Sequence, residues 1–210
     1  MTAFFTHFSK NNPIDRIVRA LVATVFLAFS HMALAQSSAE LSQIRAERVE
    51  DEILVSAQIG FELPSAVEDA LLKGIPMYFV LQADITKERW YWYDKRVATA
   101  ERYMRIAYQP LTRKWRLNVT AGVDRAGSTG LVLNQSFDTL PQALAVIKRI
   151  FRWKVADAGD LDGGGRNKIE LRFRLDLSQL PRLFQIGAIG QSDWDVGASV
   201  AMPLVLETNK

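Results

Sequence analysis

Alternation of apolar and polar residues, with a period of two, recurs along most of this chain, and it limits what the chain can fold into. From Ile53 the residues Ile53, Val55, Ala57, Ile59 and Phe61 share one face of an extended segment. The same pattern runs through Met77, Phe79, Leu81, Ala83 and Ile85, through Met104, Ile106 and Tyr108, and through Trp115, Leu117, Val119 and Ala121. It is clearest at Ile169, Leu171, Phe173, Leu175 and Leu177, where Glu170, Arg172, Arg174 and Asp176 take the other face. Such segments are strands with one buried and one wet side. A last strand is expected through Val196, Ala198, Val200, Met202, Leu204 and Leu206.

Two helices interrupt the pattern. Ser65 with Glu68, and Thr139 with Gln142, are spaced as capping boxes, and apolar residues follow each at helical intervals. Helices are expected over about 65–73, closed by Gly74, and over about 139–151, with Leu140, Leu144, Ile147 and Phe151 on one stripe. Glu50, Asp51 and Glu52 form a solvated turn after a strand near residues 41–49, and Gly163, Gly164 and Gly165 form a hairpin loop. Many antiparallel strands with two short helices make the chain mainly β, as an antiparallel β-sandwich or a strongly curved sheet.

Residues 1–35 have a different character: a basic lead with Lys10, Arg16 and Arg19, an apolar run over 20–29, and small residues at Ala33 and Ala35 before Gln36. This is the pattern of a cleavable signal peptide, and the apolar run is half the roughly 20 residues a membrane span requires. The expected product is residues 36–210 as one β-rich domain in the periplasm, with no membrane span after cleavage. The formal charge of +3 falls to +1 once Lys10, Arg16, Arg19 and Asp15 are removed, which gives no argument for a nucleic-acid partner.

The chain has no cysteine, and its two histidines, His7 and His31, both lie in the leader. Imidazole-assisted hydrolysis, His-ligated zinc chemistry and thiol redox therefore have no groups to work with in the mature domain. Asp157, Asp160 and Asp162 do not follow the spacing of a calcium loop, and the glycine run lacks the Lys-Ser/Thr of a phosphate loop. No metal, cofactor or catalytic residue is assigned. The binding candidates are aromatic and basic: Arg89, Trp90, Trp92 and Tyr93 in one segment, with Arg105 and Arg113 on the strands that follow, in a set that also holds Arg102, Lys114 and Arg116. Exposed aromatics and arginines anchor protein interfaces, and aromatics also stack on sugar rings.

The runs Leu72-Lys73-Gly74-Ile75-Pro76-Met77-Tyr78-Phe79, Arg89-Trp90-Tyr91-Trp92 and Tyr108-Gln109-Pro110-Leu111-Thr112-Arg113-Lys114-Trp115, continued by Arg152-Trp153, Gln179-Leu180-Pro181 and Ser192-Asp193-Trp194, are similar to the domain-of-unknown-function 4390 family of exported proteobacterial proteins. The resemblance carries over no catalytic residues. It implies an extracytoplasmic accessory or sensory role, because such genes stand beside one for a membrane sensor kinase of the nitrogen-regulation type. The leading expectation is a non-enzymatic periplasmic binding module with a protein partner, that kinase being the candidate. The alternative is an envelope glycan-binding or carboxylate-dependent glycan-acting protein, which needs two acidic side chains facing across a cleft. A structural or chaperone-like envelope component is the third reading.

Overall fold

The computed structural model describes residues 39–88, 94–123, 129–161, 166–182, 184–185 and 194–207. All of them belong to one compact unit, Ser37–Lys210. The expected signal peptide, 1–35, lies outside the described residues.

The alternating segments form strands in two sheets. β1 (Ala39–Val49), β2 (Glu52–Phe61), β7 (Arg149–Asp157) and the short β10 (Leu206–Glu207) make a four-stranded sheet in the order β10-β1-β2-β7. β3 (Met77–Lys87), β4 (Lys95–Gln109), β5 (Lys114–Val123), β6 (Thr129–Phe137), β8 (Asn167–Leu175) and β9 (Gly197–Pro203) make a six-stranded sheet in the order β6-β5-β4-β3-β8-β9. Each pairing is antiparallel except that of β10 with β1. β3 through β6 is a meander, and the turn joining β1 to β2 is Glu50 and Asp51, with Glu52 already in β2.

The inward faces meet in one apolar layer. Phe61 of the small sheet packs against Phe79 and Phe173 of the large one, with ring centroids 5.5 and 5.3 Å away, and Phe79 stacks on Phe173 at 5.6 Å. Met77, Leu81, Ile85, Met104, Ile106 and Leu117 are all fully buried beside them. At ~2 kcal/mol per large side chain, this layer is the main source of stability in a domain without disulfides. The chain is a mainly β sandwich, as its periodicity predicts.

Two helices appear where expected, with different ends. α1 (Ser65–Leu72) buries Val67, Ala70 and Leu71, and Gly74 closes it at φ 83°. The Ser65–Glu68 capping box does not form. Pro64 takes the cap position, and its carbonyl accepts the amides of Val67 and Glu68 at 3.0 Å each, so Ser65 is the first helical residue and not the cap. α2 (Leu140–Lys148) has Thr139 at its cap but no side-chain bond there.

α2 also ends sooner than its apolar stripe suggests. Arg149 is already extended, and Phe151 stands 67% exposed on β7. The ladder to β2 takes up Arg149 and Ile150, so the expected helix end at 151 is corrected to 148. The expected hairpin loop at Gly163, Gly164 and Gly165 lies outside the described residues, and the strands on either side of it belong to different sheets. A one-turn helix, α3 (Ala158–Leu161), follows β7, and β8 then pairs with β3 in the other sheet, so the connection crosses between sheets. The expected last strand is two: β9 lies on the large sheet and β10 on the small one.

Candidate functional site

Strand alternation and register together assemble the outer face of the large sheet. Tyr78 pairs with Arg105, Arg105 with Asn118, and Asn118 with Asn134, which makes one row of polar side chains across β3, β4, β5 and β6. The next row toward the middle of the sheet holds Val80, Tyr103, Thr120 and Val132. Tyr78, Arg105 and Asn118 of the first row and Tyr103, Thr120 and Val132 of the second, with Asp176 and Gln179 beyond the end of β8, line a cleft of about 370 Å³.

The polar groups of the cleft are incompletely matched. The Arg105 Nε donates to the Tyr78 hydroxyl at 3.1 Å, and its guanidinium carbon lies 5.8 Å from the centre of that ring. No carboxylate among the described residues pairs with Arg105, so its terminal nitrogens keep their fork free for a carboxylate. Asn118 Nδ2 donates to Asn134 Oδ1 at 2.5 Å, while Asn118 Oδ1 is buried with no partner among the described residues. Reversing that amide would set its oxygen against Asn134 Oδ1 and leave a lone donor in place of the lone acceptor. The Tyr103 hydroxyl donates to Glu101, and the carboxylate holds the phenol above its ordinary pKa. Asp176, the one acidic residue in the lining, accepts from the Ser178 amide at 3.1 Å and hydroxyl at 2.7 Å, and pairs with Arg174 at 3.4 Å.

Farther along the same face, Asp84 is 3% exposed, the one fully buried charged side chain among the described residues. Its oxygens accept from Gln82 Nε2 at 2.8 Å and Thr99 Oγ1 at 2.7 Å, with Arg96 at 3.5 Å and Arg172 at 3.8 Å. Arg172 also grips Glu170 through two bonds of 2.7 Å, which holds the Glu170 carboxyl below its ordinary pKa. Every oxygen of Asp84 has a donor. This knot ties β3, β4 and β8 together and leaves nothing for a ligand.

The predicted basic set separates in space. Arg105 lies in the cleft. Arg113, at φ 52°, stands exposed in the turn after β4, outside the cleft lining. Arg102 is not on a wet face: it shares the inward side of β4 with Met104, its Nε is buried without a partner among the described residues, and burial pushes its guanidinium below the usual arginine pKa. Arg89, Trp90, Trp92 and Tyr93 lie outside the described residues. The residues that flank them, Glu88 and Asp94, stand at the opposite end of β3 and β4 from Arg105. Tyr78, Tyr103 and Asn118 were not singled out in the sequence, although their parity against Phe79, Met104 and Leu117 places all three on the outer face.

A second hollow, about 530 Å³, opens on the outer face of the small sheet around Arg45, Glu47, Arg149, Phe151 and Arg152. It is the larger of the two, but its charged groups face water, Arg152 pairs with Glu47 at 2.9 Å, and no buried polar atom is left unmatched there among the described residues. The smaller cleft is therefore the better candidate. No group of three or more His, Asp or Glu side chains able to hold a metal occurs among the described residues. No described helix is long and apolar enough to cross a membrane.

A family model described as a domain of unknown function, DUF4390, matches residues 36–201. No curated protein and no solved structure matches the chain.

Proposed function

The chain belongs to the DUF4390 family, and from that premise we propose that it is a non-enzymatic periplasmic binding module that receives a protein partner in the cleft around Arg105. The observation that carries this reading is the pair of unmatched groups in the cleft. The Asn118 Oδ1 is a buried acceptor in need of a donor, and the Arg105 fork is a cation in need of an anion. A buried polar atom without a partner costs about 1–3 kcal/mol, which an arriving donor recovers. A polypeptide offers both complements a few ångströms apart, a backbone N–H for Asn118 and a carboxylate for Arg105. The rings of Tyr78 and Tyr103 supply apolar walls at little entropic cost.

The single carboxylate in the lining, Asp176, favours this reading over hydrolysis of a glycan, which requires two. A membrane sensor kinase is the proposed partner, and signal cleavage before Gln36 is the proposed route to the periplasm. The test is co-purification of the tagged protein with that kinase from intact cells after crosslinking. Wild-type protein should retain the kinase, and the double variant Arg105→Ala, Asn118→Ala should lose it. Retention by the double variant, with loss on changing Trp90 and Trp92 to Ala, would move the site to residues 89–93. N-terminal sequencing of the periplasmic form should begin at Gln36, and recovery of the intact leader in the cytosol would exclude export.

A further inference from the structure

The small sheet carries a β-bulge on each side of its middle strand, and both fall on the same stretch of β2. On one side β1 runs from Ser42 to Arg45 while β2 runs only from Gln58 to Ser56, and Gln43 absorbs the excess at φ 50°. On the other side β7 runs from Ile150 to Trp153 against Ala57 to Val55, with Arg152 at φ 44°. Neither residue is glycine, so the surrounding structure holds each left-handed backbone in place. A bulge bends its strand and re-aims the side chains around it, and bulges gather beside binding sites. Here the bulge in β7 leaves two consecutive residues, Phe151 and Arg152, exposed, the Phe151 ring at 67%. The hollow of about 530 Å³ opens between the two bulged strands.

The hollow lacks the buried unmatched atom that marks the Arg105 cleft, but its exposed groups are largely uncommitted. Arg152 is engaged with Glu47, and its amide donates to Ser56 Oγ at 3.1 Å, which leaves the serine's own hydrogen to give. Arg45 on β1 and Arg149 on β7 pair with no carboxylate among the described residues. The side-chain amides of Gln43 and Gln58 also meet no described partner. Only β2 separates β1 from β7, so the two arginine strands stand about 10 Å apart at the usual strand spacing, within reach of one ligand. The two acids of the lining, Glu47 and Glu207, are neighbours at the Leu54 end of β2, whereas Arg45 and Arg149 stand toward Gln58.

We infer that this hollow is a second binding site, for an acidic glycan. The carboxylates of the glycan meet the Arg45 and Arg149 forks, its hydroxyls meet Ser56, Gln43 and Gln58, and one sugar ring lies against Phe151. Unpaired arginines on both sides of β2 call for an anion. The rest of the lining selects a sugar chain over an acidic polypeptide. The centre of a protein interface is poor in charge and seats its aromatic anchors in pockets. This lining is charged and amide-rich at its centre, and Phe151 stands exposed on the edge strand. The site lies on the other sheet from the Arg105 cleft and does not depend on what that cleft receives.

The test is titration calorimetry on the protein purified after expression from its full-length gene. Two soluble probes are used: a galacturonate oligomer with a carboxylate on every sugar and a hyaluronan oligomer with one on every second sugar. At least one should bind saturably, and more weakly as salt rises. Arg45→Ala combined with Arg149→Ala should weaken binding about tenfold or more, and Phe151→Ala severalfold, while Arg105→Ala and Arg113→Ala leave it unchanged. Circular dichroism checks the fold of each variant, and Arg45→Gln with Arg149→Gln reads the same effect if the alanine pair fails to fold. Failure of both probes, equal binding of a neutral maltose oligomer, unchanged affinity in the double variant or loss through Arg105→Ala would each overturn the inference. So would equal binding of polyglutamate, which would assign the hollow to an acidic polypeptide instead.

Discussion

Two regions of one sheet face, six positions apart on β3, use similar side chains to opposite ends. Around Asp84 the polar groups close on one another: a buried carboxylate, an amide, a hydroxyl and two guanidinium groups satisfy each other. Around Tyr78 they do not close, because Arg105 meets only a neutral hydroxyl and the Asn118 carbonyl meets nothing among the described residues. The closed network holds strands together and the open one retains bonding capacity for something else. Completeness of hydrogen bonding, more than charge, is what distinguishes these two polar clusters, and the proposed function rests on that difference.

The largest effect that would break this comparison is on stability. Asp84→Ala should cost about 3 kcal/mol in urea unfolding, because Gln82 and Thr99 lose their acceptor while Arg96 and Arg172 can still turn to water. Partner binding should survive at a temperature where the variant is folded. A loss below about 1 kcal/mol would mean that the knot is not what ties β3 to β4 and β8.

Next, Arg105→Ala should weaken partner binding at least tenfold, about 1.4 kcal/mol by titration calorimetry, while unfolding free energy shifts by less than about 1 kcal/mol. The reverse pattern would make the cleft structural. Asn118→Leu sharpens the point further: it should leave stability unchanged or raise it by up to about 1 kcal/mol, since an unmatched acceptor is removed, and still weaken binding severalfold.

The smallest effect is one of pH. Arg172 lowers the folded-state pKa of Glu170, so the folded chain takes up that proton less readily than the unfolded chain does. The resulting stabilisation is complete above the ordinary carboxylate pKa near 4.5 and is lost as pH falls through the lower folded value. The pair is partly solvated, so the expected difference between wild type and Glu170→Gln is a few tenths of a kcal/mol at pH 6, vanishing once the pH is below the lowered folded-state value. A difference that grew in acid would contradict the pairing.

Much of the architecture was legible because a strand's two faces are fixed by parity. Phe79, Phe173 and Leu117 could only be inside once their segments were strands, and the turn at Glu50 and Asp51 followed from charge. Arg102 shows parity overruling composition: it keeps step with Met104 and Ile106, and that step carries it inward even though it is charged. Tyr78 and Tyr103 were legible by the same rule but were passed over for the denser aromatic run at residues 89–93. Helix ends were less legible. A proline carbonyl capped α1 in place of a serine hydroxyl, and the ladder to β2 took up Arg149 and Ile150, which cut short a stripe that fitted a helix equally well.

The sequence alone determined that the domain is β-rich, that it holds itself together by apolar burial without disulfides, and that it lacks imidazole and thiol chemistry, because these depend on residue type and local period. Only the tertiary structure decided which strands are neighbours. β3 became central, so Asp84 is buried on a face that its polarity would assign to water. β4, β5 and β6 lay side by side, so Arg105, Asn118 and Val132 share one cleft. Neighbour relations are set by long-range pairing between strands distant in the chain, and a periodicity of two records which way a side chain points but not what it meets.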